Sequence, residues 1–165
     1  MNADAHLNIG VLNEAELKRT MGCFATGVTV VTANHEGVDI GMTCNSFNTV
    51  SLDPALVLWS IRKESGSHPA FTQSAGYTVN ILAADQRETA MQFTRGSHAE
   101  RFAGVPADRL MTGRLMLADA VAWFDCQLEQ IVSAGDHDIL IGRVLAFAST
   151  PRDPLVYVKG GFVGQ

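Results

Sequence analysis

The sequence predicts a mainly β protein, built as an antiparallel barrel with a few accessory helices. Extended segments rich in β-branched and other apolar residues recur along the chain, and turn-forming Asn, Asp, Gly and Pro residues separate them. Only short segments show the apolar spacing of a helix. A doubly wound parallel sheet would need regular crossover helices between its strands. Hairpin-like turns join most of the extended segments instead, so the parallel architecture is disfavoured.

The predicted strands differ in their expected burial. The segment 55–61 is nearly all apolar, which predicts a strand buried on both faces. Residues 34–37 predict a hairpin turn, because Asn34 and Gly37 tolerate positive φ, and the pair Asp53 and Pro54 predicts another turn. The predicted strands cover residues 28–32, 38–50, 55–61, 77–82, 122–132, 138–148 and 155–158.

Short helices are predicted between these strands. Asn13 can cap a helix over residues 14–23, and its apolar side chains, Leu17, Met21 and Phe24, are expected to face the core. Residues 68–74 predict one or two helical turns. Asp85 is expected to cap a further helix that ends near Phe93. The polar segment 95–108 contains Gly and Pro breakers and predicts a loop.

Composition narrows the function classes. The 165 residues fit one domain, covering positions 1–165, and the formal net charge of -5 disfavours nucleic-acid binding. The three cysteines are widely spaced, which predicts neither a disulfide framework nor a metal site and fits a reducing compartment. The first ten residues lack a signal-peptide pattern, and no apolar run is long enough for a membrane helix. We therefore expect a cytoplasmic protein with no membrane partner.

Two polar segments are candidates for a binding site. The familiar phosphate-loop, dinucleotide-binding, nucleophile-elbow and zinc-protease motifs are absent from the sequence, so an enzyme of this kind would depend on a bound cofactor. Residues 42–49 carry short hydrogen-bonding side chains, which suit either a polar strand end or the wall of a cleft for a planar ligand. Residues 60–68 combine two cations with three hydroxyls, which suits either an exposed loop or a phosphate clamp.

Several motifs, in order along the chain, carry a resemblance to a known family. They occupy residues 24–32, 41–47, 50–54, 79–82, 85–86, 135–137, 141–144 and 154–157, together with Phe93 and Gly160. In this order they resemble the flavin reductase-like family, the small reductase components of two-component flavin monooxygenases. The sequence departs from the family pattern at Cys44, where Ala is commoner, at Asn48 and Thr49, and at Arg143, where an acidic residue is common.

The resemblance implies a fold and an activity. The family fold is a split antiparallel β-barrel with Greek-key topology, usually a homodimer. The implied activity is reduction of FMN or FAD by hydride transfer from NADH or NADPH, with the reduced flavin supplied to a separate monooxygenase. NADH is favoured, because no clear extra basic pair marks a site for the 2′-phosphate of NADPH.

The resemblance also implies site residues. His137 should face the nicotinamide and is the candidate catalytic residue, although a solvated turn histidine is the alternative. Cys44 fits a small buried side chain better than a nucleophile, and Trp59 fits either the core or the border of the cofactor. The phosphate should lie near Ser60, Lys63 and Ser65. The remaining candidate cofactor-binding residues are Thr43, Cys44, Asn45 and Ser46 along the flavin, and Phe93, Thr94 and Arg95 closing over it, from the same chain or from the partner subunit.

Other functions stay open on the sequence alone. A non-catalytic flavin-binding or haem-type barrel, acting as a sensor or carrier, would bind its ligand without oxidising NADH. A related split-barrel oxidase acting on pyridoxamine phosphate would need a denser set of Arg and Lys residues. A purely structural dimerisation module would leave the flavin motifs unexplained.

Overall fold

The computed structural model describes residues 12–164. Its helices are α1 (Glu14–Met21), α2 (His68–Gln73), α3 (Arg87–Gln92) and α4 (His98–Phe102). Its strands are β1 (Thr26–Gly27), β2 (Thr29–His35), β3 (Val38–Cys44), β4 (Asn48–Leu52), β5 (Ala55–Arg62), β6 (Gly76–Ile81), β7 (Ala107–Arg109), β8 (Leu115–Leu117), β9 (Ala122–Ala134), β10 (His137–Ser149), β11 (Val156–Val158) and β12 (Gly161–Phe162).

The strands form one large antiparallel sheet and two small ones. The large sheet has the order β3-β2-β6-β9-β10-β5-β4, and β1-β11-β12 and β7-β8 form the others. The strands β5 and β6 follow each other in the chain but are separated in the sheet by β9 and β10, a long connection typical of Greek-key arrangements. The predicted fold class, a mainly β split antiparallel barrel, is confirmed.

The core lies on both faces of β2. Val31 packs in a cluster with Trp59, Tyr77 and Leu140, whereas the adjacent Val30 packs in a second cluster. Successive side chains of a strand point to opposite faces, so β2 is buried on both sides. The second cluster is formed by Val28, Val30, Leu82, Ala90, Phe93, Leu117 and Leu155.

Strand β5 is buried on one face, not on both as predicted. Val57, Trp59 and Ile61 are buried, while Leu58 and Ser60 between them are half-exposed. The hairpin is confirmed, but its turn residues are Glu36 and Gly37, both at positive φ, whereas Asn34 is a residue of β2. The predicted strand 38–50 is divided, because the chain bends at residues 45–47 between β3 and β4. This bend brings polar side chains to the end of β3.

The first helix begins as predicted but does not pack on the core. The Asn13 side chain accepts hydrogen bonds from the Ala15 and Glu16 amides, at 3.0 and 3.1 Å. No residue of α1 is buried, and Met21 and Phe24 are 65% and 73% exposed. The expectation that the apolar face of this helix is covered by the core was therefore wrong for the described chain.

Two further expectations about helices were wrong. Asp85 does not cap α3, which begins after Gln86; Asp85 forms an ion pair with Arg152 instead. The segment 95–108 is not all loop, because it contains α4 and the start of β7. Ser97 and Glu100 form a complete capping box at the start of α4.

Candidate functional site

Three adjoining cavities line the end of β3 and share Thr43. We call them the serine–arginine cavity (about 480 Å³), the central cavity (about 510 Å³) and the aromatic cavity (about 520 Å³). The serine–arginine cavity is characterised by Ser65, Ser67, Ser97, His98 and Arg101. The central cavity is characterised by Cys44, Asn45, Ser46, Ser60 and His137. The aromatic cavity is characterised by Arg87, Tyr157 and Phe162.

The wall along residues 43–46 is fixed by its own hydroxyl groups. Thr43 donates through Oγ1 to the Ala90 carbonyl at 2.6 Å, which ties β3 to α3. Ser46 donates through Oγ to the Ser60 carbonyl at 3.1 Å and accepts from the Ser60 amide at 3.0 Å, which ties the bend to β5. Because these hydroxyls bond to the protein, they hold the backbone of the wall in place.

Cys44 is a protonated thiol in this wall. Its Sγ atom lies 3.1 Å from the Thr29 hydroxyl. Burial raises the pKa of the Cys44 thiol, and hydrogen bonds from Thr29 and Ser46 offset this only in part. A thiol with a raised pKa is a poor nucleophile. The side chain therefore acts as a small packing group beside the central cavity.

His137 lies at the start of β10, at the edge of the central cavity. It pairs in register with Arg62 of β5 and Ala134 of β9, and its Nδ1 atom lies 2.8 Å from an Asp136 carboxylate oxygen. This hydrogen bond lowers the pKa of the Asp136 carboxyl. The histidine is both a turn residue bonded to its neighbour and part of the cavity lining.

Arg101 on α4 supplies a cation to the serine–arginine cavity. Its Nη1 atom donates to the Gly41 carbonyl at 2.7 Å and its Nε atom donates to the Arg95 carbonyl at 3.3 Å. Within the described part of the chain, the Arg101 guanidinium donates hydrogen bonds to these two carbonyls and forms no ion pair. A guanidinium without a carboxylate partner in a cavity is suited to bind an anion.

His98 lies beside Arg101 in its neutral form. Its Nδ1 atom accepts from the Gly41 amide at 3.4 Å, and its Nε2 atom lies 3.3 Å from the Ser67 hydroxyl. Burial and the charge of Arg101 lower the pKa of the His98 imidazole. A nitrogen that accepts from an amide carries no proton, so the other ring nitrogen is the N–H donor directed towards Ser67.

Comparison with known proteins places the chain in a family. The flavin reductase-like domain model matches residues 21–164. The chain belongs to this family. It is 41% identical over 150 residues to the FMN reductase (NADH) SmoA of Agrobacterium fabrum, covering 91% of this chain and 85% of SmoA. It is 40% identical to a probable flavin reductase of Rhizobium meliloti, covering 92% of this chain but only 49% of that relative, so the chain spans about half of its length.

Solved structures of flavin reductases share the fold. The flavin reductase PheA2 superposes with a TM-score of 0.84 at 37% identity, covering 92% of this chain and 97% of PheA2. The NADH:FAD oxidoreductase SgcE6 of Streptomyces globisporus, in complex with NAD and FAD fragments, superposes with a TM-score of 0.86 at 34% identity, covering 91% of each chain.

This flavin reductase-like cleft contains most of the residues predicted from the sequence. Arg62 and Glu64 also line the central cavity, next to His137. The predicted residues that line one or more of the three cavities are Thr43, Cys44, Asn45, Ser46, Ser60, Ser65, Phe93, Thr94 and His137.

Trp59 and Phe93 are core residues. The Trp59 ring is fully buried and packs edge-on against Phe71 and Tyr77, on the opposite face of β5 from Ser60. The alternative that Trp59 borders the cofactor is therefore corrected: its ring belongs to the core. Phe93 is also fully buried, against Phe102, so its ring forms part of a fixed wall of the serine–arginine cavity.

Lys63 and Arg95 point away from the three cavities. The Lys63 ammonium donates to the Ser133 hydroxyl and the Gly135 carbonyl, both at 2.7 Å, and so ties its loop to the β9–β10 turn. The Arg95 side chain lines a neighbouring depression with Glu88, and its carbonyl accepts from Arg101. The structure thus separates these two cations from the cleft and brings Arg101 into it.

Arg101 and His98 were missed because α4 was not expected. The capping-box spacing of Ser97 and Glu100 was the available signal, and it would have placed His98 and Arg101 three residues apart on one helix.

In residues 12–164, no helix has the length and apolar character required to span a bilayer. In the same residues, no cluster of three or more His, Cys, Asp or Glu side chains could hold a metal ion.

Proposed function

We propose that this protein is an NAD(P)H:flavin oxidoreductase that reduces FMN or FAD and supplies the reduced flavin to a separate monooxygenase. One observation carries the proposal. The fold of the flavin reductase-like family carries one cleft here. This cleft adjoins a wall of short polar residues, the Arg101 cation, which is suited to bind a phosphate, and His137. Among the relatives, the match from Acinetobacter baylyi is named as the reductase component of a flavin-dependent trigonelline monooxygenase, at 42% identity.

The shape of the cleft supports a flavin as the cofactor. Each adjoining cavity has a volume within the range of about 300–1,000 Å³ that ligand sites commonly have. Main-chain groups and Asn45 beside the central cavity suit the polar edge of the flavin ring, and the aromatic cavity offers Tyr157 and Phe162 as apolar surface. When bound, the flavin supplies the hydride-accepting ring for NAD(P)H.

We assign the flavin phosphate to the serine–arginine cavity. Arg101 has no carboxylate partner among the described residues, and the Ser65 and Ser67 hydroxyls lie on the same cavity. Lys63, which the sequence suggested for this role, uses its ammonium on the β9–β10 turn. Charge and hydroxyl donors together are the groups that bind a phosphate.

The chain's own part in hydride transfer is orientation. Hydride transfer needs the donor and acceptor atoms within roughly 3–3.5 Å, and it needs no general acid at the hydride itself. We propose that His137 contacts the nicotinamide from the edge of the central cavity and that the wall 43–46 holds the flavin ring. The fixed hydroxyls of Thr43 and Ser46 keep that wall rigid.

We further propose that residues 1–165 act as one domain in a cytoplasmic homodimer. Cys23, Cys44 and Cys126 are free thiols, which fits a reducing compartment. Large apolar side chains are exposed on β4 and on β10, including Leu52 and Phe147. A second copy of the chain would cover them.

The activity is tested by following NADH absorbance at 340 nm with purified protein. We expect the absorbance to fall when NADH and FMN or FAD are both present, and to stay constant when either is left out. The protein should also bind flavin, seen as quenching of flavin fluorescence. Flavin binding without NADH or NADPH oxidation would favour the non-catalytic carrier, and absence of both would end the proposal.

The phosphate assignment is tested by replacing Arg101. Loss of a charged hydrogen-bonding partner commonly costs roughly 1.5–3 kcal/mol, so Arg101→Gln should weaken FMN binding about ten- to a hundredfold. Riboflavin, which lacks the phosphate, should bind the variant and the parent protein equally. Arg95→Gln is the matched control, because its side chain lies outside the cavity. Equal losses for FMN and riboflavin would place the phosphate elsewhere.

A further inference from the structure

We propose that His68 and Asp138 are positioning residues that hold the turn carrying His137 against the loop before α2, and so set nicotinamide binding. This inference rests on the proposed function, because it concerns the same cleft. It assigns a task to two side chains that do not themselves line the central cavity.

The contact between the two residues is direct and largely sheltered. The Nε2 atom of His68 lies 2.7 Å from an Asp138 carboxylate oxygen. The side chains are only 19% and 12% exposed, respectively. His68 is the first residue of α2, whereas Asp138 follows His137 on β10, so the bond joins two elements that lie 70 residues apart in the chain.

Lys63 adds further contacts to the same turn. Its amide donates to the Asp136 carbonyl at 3.0 Å, and its ammonium donates to the Gly135 carbonyl. The ammonium also lies 3.9 Å from an Asp138 carboxylate oxygen. The segment 135–138 is thus held by Lys63 and His68, the residues at the two ends of the loop 63–68.

Asp138 supports the strand that carries His137 but does not itself face the central cavity. Successive side chains on β10 point to opposite faces, so Asp138 points away from the face on which His137 meets the central cavity. The hydrogen bond from His68 and the charge of Lys63 lower the pKa of the Asp138 carboxyl, which keeps it ionised at neutral pH. A charged acceptor behind the strand fixes the backbone on which the His137 ring is mounted.

A double-mutant cycle with His137 tests this role. In the full chain, His68→Ala should raise the KM for NADH roughly tenfold, a common size for loss of a supporting partner, while the Kd for FMN changes less than about twofold. His68→Gln keeps a donor for Asp138 and should recover most of the loss. In a His137→Ala background, His68→Ala should add no further increase in KM.

The control removes a contact elsewhere on the same hairpin. Glu129 and Arg143 form an exposed ion pair further along β9 and β10, so Glu129→Gln should leave the KM for NADH unchanged. If His68→Ala raises KM by the same factor with and without His137, the residue acts independently of His137 and the inference is overturned. An unchanged KM in His68→Ala overturns it as well.

A second measurement does not depend on the loaded enzyme. Hydrogen–deuterium exchange of peptides covering residues 133–140, in protein without flavin or nucleotide, should rise in His68→Ala, less in His68→Gln, and not in Glu129→Gln. If the parent protein binds flavin but oxidises no NADH, the proposed function fails on its own. The exchange result then decides whether His68 holds the turn, and unchanged exchange overturns that.

Discussion

Gly41 shows how one missing side chain shapes the cleft. A Cβ atom there would lie 2.6 Å from Cε1 of Phe93 and 3.0 Å from Cζ of Phe102. The amide of Gly41 donates to His98 and its carbonyl accepts from Arg101. We therefore expect Gly41→Ala to displace α4, to lower the free energy of unfolding by about 1–3 kcal/mol, and to weaken FMN binding. Urea unfolding and flavin fluorescence measure the two effects.

Gly27 provides the matched control for this substitution. A Cβ atom at Gly27 meets nothing within 4 Å. Gly27→Ala should therefore leave both the free energy of unfolding and the Kd for FMN close to their starting values. If Gly41→Ala were as harmless as Gly27→Ala, the contact between β3 and the two rings would not matter for the cleft.

At the scale of single residues, the sequence indicated the wall of the cleft better than its cation. The short polar residues 43–46 interrupt an apolar strand, which is a local signal, and they do line the cleft. Trp59 shows the limit of reading a strand as apolar throughout, because alternation puts it and Ser60 on opposite faces. The Lys63 side chain points away from the cleft and the Arg101 side chain lines it. Both directions depend on hydrogen bonds to carbonyls that are distant in the chain.

At the scale of elements, β4 and β10 expose apolar side chains at the same end of the large sheet. Leu52 of β4 pairs with Ala55 of β5. The next residue of β5, Leu56, pairs with Arg143 of β10. Phe147 lies four residues further along β10, and it is 71% exposed, while Leu52 is 97% exposed. These positions place both side chains at the end of the large sheet that we propose a second copy covers.

Charge substitution at this end of the sheet tests the dimer. Leu52→Asp should shift the protein from dimer to monomer in sedimentation velocity, because burying an unpaired carboxylate in an apolar interface is costly. Met111→Asp is the control, since Met111 is fully exposed on the turn between β7 and β8. A parent protein that sediments as a monomer, or a dimer unaffected by Leu52→Asp, would contradict this arrangement.

The elements that sequence patterns missed depend on partners far away in the chain. Strand β8 is fixed by Asn80, whose side chain accepts from the Leu117 amide at 2.8 Å, and by Thr32, whose hydroxyl donates to the Leu115 carbonyl. Neither contact leaves a periodic signal in the segment itself. Long hairpins such as β9–β10 have strong local patterns, and these were predicted close to their observed bounds.

At the scale of the whole molecule, hydrogen-bonded carboxylates join separate parts of the fold. Asp39 at the β2–β3 hairpin accepts from Arg109 on β7 through both oxygens, at 2.9 and 2.7 Å. The hydrogen bond from Arg109 lowers the pKa of the Asp39 carboxyl. The Glu129 carboxyl has its pKa lowered in the same way by Arg143, and the Asp138 carboxyl by His68.

The direction of these shifts fixes how stability depends on pH. A carboxyl whose pKa is lower in the folded state adds stability that is fully present above the unfolded value near about 4. That stability is lost as pH falls through the folded pKa, because the folded protein must then take up protons that the unfolded chain already holds. The free energy of unfolding, measured by urea titration, should therefore fall between about pH 5 and pH 2.

Asp39→Asn isolates one contribution to this loss. The variant should be less stable than the parent at pH 7, where the Asp39 carboxylate pairs with Arg109, and the gap between the two proteins should narrow as the pH approaches 2. Asp108→Asn is the control, because Asp108 is an exposed residue beside Arg109 on the same strand. The ion pair links β3 to the β7–β8 hairpin. If the free energy of unfolding changed with pH in the same way for Asp39→Asn and for the parent, the charge of this link would add no stability.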